Sequence, residues 1–138
     1  MATEVKLEGI LMPMPTPFKE DGAVDEAGVD AMVDFYIASG VQGFFALGTH
    51  GQGMVMEIDE RKRVAERVVR RVAGRVPIVL HVGTANTYSS IDLARHHAGQ
   101  VALERQPGGE RELATRVQER LEASAVVVAF PGQRRRLT

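Results

Sequence analysis

A chain of 138 residues with 44% hydrophobic and 25% charged side chains and a formal net charge of −1 has the balance of a globular domain. That balance offers no basic surface for nucleic acid and no anchor for an anionic membrane. The absence of cysteine removes a disulfide scaffold and thiolate chemistry, and fits a cytoplasmic protein.

The N-terminus carries Glu4, Lys6 and Glu8 ahead of an apolar stretch broken by Pro13 and Pro15, a pattern with neither a signal peptide nor a membrane span. Residues 10–14 read as a short buried strand whose prolines mark its end. After a turn at Asp21-Gly22, Val29, Met32, Val33, Tyr36 and Ile37 recur at helical spacing from Asp25, and Gly40 stands where a glycine ends such a helix. Residues 44–47 form the next strand. A second helix is predicted over 58–73, with Val64, Val68, Val69 and Val72 as its inner stripe, basic side chains outward or flanking, and Gly74 closing it. Residues 77–82 read as a third strand ended by Gly83, and residues 87–97 as a third helix. The alternation β-α-β-α-β-α implies an α/β fold with a parallel sheet.

Between the second strand and second helix stands Gly48-Thr49-His50-Gly51-Gln52, a glycine-bracketed loop that can bring backbone N–H groups and one hydroxyl to a small anion. It has neither the spacing of a dinucleotide-binding fingerprint nor the lysine of a phosphate loop. The same loop could equally be a plain strand-to-helix turn that needs its glycines.

The segments around the loop decide how it is read. In order, they are Gly9-Ile10 leading to Thr16-Pro17-Phe18-Lys19-Glu20-Asp21-Gly22, then Val24-Asp25, Ser39-Gly40-Val41-Gln42-Gly43 and Leu47-Gly48-Thr49. They continue through Glu60-Arg61-Lys62-Arg63-Val64, Gly74-Arg75-Val76-Pro77-Ile78-Val79, Val82-Gly83-Thr84 and Leu93-Ala94-Arg95-His96. Together they resemble the opening of the dihydrodipicolinate synthase / N-acetylneuraminate lyase family, the pyruvate-dependent Schiff-base aldolases built on a (β/α)8 TIM barrel. The resemblance covers roughly residues 7–98. A complete barrel of this kind takes about 250 residues, so the expectation here is a partial barrel: three βα units in residues 1–98 and a divergent tail in 99–138.

The resemblance implies that Gly48 and Thr49 bind the carboxylate of pyruvate or another 2-oxo acid, with the Thr49 hydroxyl also serving in proton relay. His50 stands where the family has a second hydroxy residue, and Gln52 where it has a glutamate. The imidazole adds bulk and a group that titrates near neutrality, which leaves the downstream substrate open. The family also implies a Schiff-base lysine and a relay tyrosine on later strands, and neither has a counterpart here. Lys6 precedes the first strand, Lys19 lies in a polar loop and Lys62 on a charged helix face. Tyr36 and Tyr88 read as packing residues. No cofactor is implied. His81 reads as a core or barrel-interior residue, and the adjacent His96 and His97 have no metal-ligand spacing.

The tail changes character. Residues 1–98 carry 10 basic and 13 acidic side chains, whereas 99–138 carry 7 arginines, no lysine and 5 glutamates. Gln106-Pro107-Gly108-Gly109, a helical stretch over 110–122 and the β-branched run at 126–130 replace the expected continuation. A shifted reading frame explains this first; a fourth barrel strand after an insertion, or a late barrel helix joined by a deletion, are the rivals. Arg134-Arg135-Arg136 reads as a solvated run.

Two functions follow from these expectations: an N-terminal portion of a Schiff-base lyase or synthase, inactive alone, or a non-catalytic module that associates with itself or with another barrel subunit. A small α/β domain binding some other anion at Thr49 is a weaker third.

Overall fold

The computed structural model describes residues 7–105 and 127–130. The helical stretch expected at 110–122, Lys6 and the arginine run at 134–136 lie outside the described residues. The elements follow the alternation read from the sequence: β1 (Leu11–Met14), α1 (Glu26–Ala38), β2 (Gly43–Ala46), a short 3-10 turn (Gly53–Val55), α2 (Ile58–Val72), β3 (Ile78–His81), α3 (Thr87–Arg105) and β4 (Val127–Phe130).

The four strands form one sheet in the order β1-β2-β3-β4. β1 pairs with β2, and β2 with β3, in parallel, with Pro13 opposite Phe45 and Phe45 opposite Val79. β4 runs antiparallel to β3, with Ala129 opposite Val79. A fourth strand of a (β/α)8 barrel runs parallel to the third, so the pairing of residues 127–130 is not that of the barrel's own fourth strand.

The sheet has two different faces because side chains alternate along each strand. Met14, Phe44, Ala46, Ile78 and Leu80 point one way and are buried in a single core with Val29 and Val33 of α1, Val64, Val68 and Val72 of α2, and Leu93 of α3. Opposite them stand Leu11, Pro13, Phe45 and His81, none fully buried, beside the buried Val79. β1 was read as a buried strand from residue 10 onward. It begins at Leu11, Ile10 is 69% exposed, and only Met14 is fully buried. An edge position explains this, and it also tolerates Pro13, which has no N–H to give to a ladder.

Local chemistry sets the helix ends. The Asp25 carboxylate caps α1 by accepting from the N–H of Gly28 at 3.1 Å. Gly40 follows the end of that helix at φ +88°. α2 ends one residue before the sequence suggests, because Ala73 turns left-handed at φ +48°. α1 and α2 are also joined by an ionic ladder. Arg67 donates to both carboxylate oxygens of Asp30 at 2.8 and 2.7 Å and to Glu26 at 2.9 Å, while Arg71 and Arg75 both reach Asp34. The hydrogen bonds from Arg67 hold the Asp30 carboxyl below the ordinary carboxylate range.

Candidate functional site

The loop that follows β2 is shaped by close backbone packing. Leu47 leaves the strand at φ +62° and Gln52 turns at φ +57°. The Gln52 N–H donates to the Thr49 carbonyl at 3.0 Å, and the Gly53 N–H to the Gly48 carbonyl at 3.1 Å. A Cβ placed on Gly53 would stand 2.0 Å from the Leu47 carbonyl oxygen, so the loop closes only with glycine there.

From the neighbouring loop, the buried Thr16 hydroxyl donates to the Gly51 carbonyl at 2.7 Å. Gly48 is buried, whereas Thr49 and His50 are exposed at the C-terminal end of the parallel strands. The Thr49 and His50 backbone N–H groups form no hydrogen bond with another described residue. The structure thus brings Gly48, Thr49 and His50 to one surface loop, with N–H groups and a hydroxyl free to take an anion.

The next strand ends beside this loop. His81 is half-buried on β3, its ring 6.2 Å from that of Phe45. Burial, then the positive charge of Arg61, lowers its pKa, while the backbone of Leu47 acts in the opposite direction. The sequence reading of His81 as an interior residue agrees with this position.

Arg61 overturns its expected place. Counted among the outward or flanking basic side chains of the second helix, it is 1% exposed. Its guanidinium donates to the Gly83 carbonyl at 2.9 Å and to the His81 carbonyl at 2.7 Å. Burial lowers its pKa. Arg61 falls in phase with Ala65, Val68 and Val72, so the helical period that picked out the valine stripe carried the signal as well. Thr16 was read only as part of a matching segment.

The two described lysines stay apart from the loop's chemistry. Lys19 is exposed in the turn at 19–23, and Lys62 pairs with Asp92 of α3 at 2.6 Å. Tyr36 packs as expected, edge-on to Phe44 at 6.3 Å. Tyr88 does not: at the second position of α3 it is 87% exposed, because no described element covers the start of that helix on its side. His96 lies 2.9 Å from Glu66 of α2, and His97 is fully buried, so the adjacent pair point to different surroundings. Among the described residues no group of His, Asp and Glu is arranged to hold a metal ion, and no helix is long and apolar enough to cross a membrane.

Residues 6–102 match the model of the dihydrodipicolinate synthetase family. The chain belongs to that family. The family member from Laribacter hongkongensis described as 4-hydroxy-tetrahydrodipicolinate synthase is 40% identical over 89 residues, which cover 64% of this chain and 31% of that protein. The N-acetylneuraminate lyase of Rhizobium meliloti is 36% identical over 94 residues, covering 68% and 31%. The crystal structure of YagE from Escherichia coli K12, a family protein in complex with pyruvate, superposes with a TM-score of 0.65 at 35% identity, covering 67% of this chain and 31% of that one. The chain therefore spans about 31% of the length of these relatives. Its three parallel strands and their helices are the α/β opening of a TIM barrel.

Proposed function

We propose that residues 48–50 form the carboxylate-binding part of a pyruvate-dependent Schiff-base aldolase or synthase, and that this chain by itself forms no imine. The observation that carries the reading is the pair of unpartnered N–H groups at Thr49 and His50, beside the Thr49 hydroxyl, at the C-terminal end of the parallel strands. A carboxylate accepts well from such donors. Family membership and the likeness to a pyruvate complex support pyruvate or another 2-oxo acid as the ligand. Resemblance to both a synthase and a lyase leaves the second substrate open.

Imine formation needs a lysine amine beside the bound ketone, and neither Lys19 nor Lys62 stands there. In this reading residues 1–98 are the barrel portion and 99–138 a divergent tail.

Calorimetric titration of the chain with pyruvate, phosphate and a nucleotide tests the ligand class. Preference for pyruvate supports the reading, and preference for phosphate overturns it. Pyruvate with borohydride tests the chemistry: intact mass should remain unchanged, and a stable lysine adduct would contradict inactivity.

A second reading is favoured by the incompletely covered face bearing Leu11, Pro13 and Phe45. In it the chain is an assembly module that pairs with itself or with a barrel subunit. Co-purification with a full-length family member, without turnover, supports it.

A further inference from the structure

We propose that Arg61 is a positioning residue for the Gly48–Gly53 loop, acting from α2 through the end of β3. The proposal rests on reading that loop as the carboxylate site. Arg61 is almost fully buried, and among the described residues no carboxylate pairs with it. A guanidinium removed from water without a counter-charge is costly to keep. Its two hydrogen bonds go to the carbonyl of the last residue of β3 and to that of Gly83 just beyond the strand. Among the described residues the Nε has no partner. The side chain is therefore committed to fixing the backbone at 81–83.

That fixed backbone holds the loop through a continuous set of contacts. A Cβ on Gly83 would stand 2.8 Å from both Cε1 and Nε2 of His81, so the imidazole lies back over the strand end in space that only glycine leaves. The same ring faces Phe45, with the centroids 6.2 Å apart. Phe45 in turn lies so close under Gly48 that a Cβ there would come 2.4 Å from its ring. Arg61 sets the 81–83 backbone, that backbone sets the imidazole, and the imidazole backs the phenyl ring on which Gly48 rests. Thr16 holds the far end of the loop at Gly51. Close-packed contacts of this kind transmit displacement rather than absorb it.

The test compares the full chain with Arg61→Gln, Arg61→Lys and Gly83→Ala. Amide exchange is followed at 81–86 and 47–53, with calorimetric pyruvate affinity measured beside it. Arg61→Gln should speed exchange at least tenfold in both segments while α1 keeps its protection, and should weaken pyruvate binding about tenfold. Arg61→Lys, which can reach one carbonyl, should fall between. Gly83→Ala leaves the guanidinium in place and displaces the imidazole. It should loosen 47–53 while leaving 81–83 protected, and it decides the matter should Arg61→Gln fail to fold.

Faster exchange confined to 81–86, or unchanged in both segments, overturns the proposal. Loosening of both segments by Arg61→Gln, with no pyruvate binding by the wild-type chain, sustains the positioning role and refutes the carboxylate reading.

Discussion

His97 makes the stability of this fold sensitive to mild acid. The imidazole is fully buried on α3, and among the described residues neither ring nitrogen has a partner. Burial pushes its pKa down to about 3, the charges of His96, Arg61 and Lys62 act in the same direction, and Asp92 opposes them. In the unfolded chain a histidine titrates near 6.5. Above that pH neither state holds the proton and the shift costs nothing. As pH falls below about 6.5 the unfolded chain takes up a proton that the folded chain refuses, so stability drops until the folded group titrates near 3. At pH 5 the loss from this one group is about 2 kcal/mol, and the full shift corresponds to about 5 kcal/mol. Urea unfolding followed by circular dichroism at pH 7 and pH 5, at one low protein concentration, measures it. His97→Leu should remove most of the difference. The same substitution should raise stability at pH 7 by about 1 kcal/mol or more, since it replaces unpartnered buried nitrogens with an apolar group of similar size. Parallel losses in the wild type and His97→Leu between pH 7 and pH 5 would refute the reasoning.

Thr16→Val keeps the shape and removes the hydroxyl that reaches Gly51, leaving a buried carbonyl unpaired; about 1–3 kcal/mol of stability and several-fold in pyruvate affinity should go with it, read by urea unfolding and calorimetry. Gly53→Ala places a Cβ 2.0 Å from the Leu47 carbonyl, and loss of pyruvate binding with retained helical circular dichroism is expected. Phe44→Ala, at a fully buried ring between Tyr36 and the valines of α1, should cost about 3–5 kcal/mol by the same unfolding assay. Among the described residues β1 is paired on one side only and one sheet face is incompletely covered; both should make the chain associate, and a monodisperse, cooperatively melting monomer on gel filtration would argue against it.

The strands and helices were legible because their apolar residues repeat with the right periods and because Asp25 and Gly40 punctuate α1. What escaped the sequence has identifiable causes. Leu47 is as apolar as Phe44, so nothing in its side chain announces that the backbone turns left-handed and leaves the strand. α3 runs on to Arg105, past Gly99. A single glycine inside a helix costs only about 1 kcal/mol, less than flanking residues recover. Arg61 was counted among the outward or flanking basic residues although its phase places it on the buried stripe, and two carbonyls from another element decide in favour of phase. The antiparallel direction of β4 depends on how the chain returns after α3, and side-chain alternation is the same for either direction. The loop was the reverse case: its glycines marked it in the sequence, and the fold alone shows that Gly48 meets the Phe45 ring, Gly51 the Met14 carbonyl and Gly53 the Leu47 carbonyl.

Hydrogen bonds that shape the loop come from within the first two βα units: Gln52 to Thr49, Gly53 to Gly48, Val55 to Gln52, and Thr16 to Gly51. The floor beneath it, Phe45 and His81, is held from α2 by Arg61. Recognition of a carboxylate by such a loop depends on backbone donors already fixed in place, whereas imine chemistry depends on a lysine whose amine must be delivered to the ketone from another strand. The two requirements fall on different stretches of a TIM barrel. Under the proposed reading, a chain that reproduces the first stretch with its internal supports intact should take up a 2-oxo acid in titration calorimetry, and borohydride trapping reports separately on imine chemistry. Pyruvate binding with no lysine adduct is the pair of outcomes that the proposed reading expects.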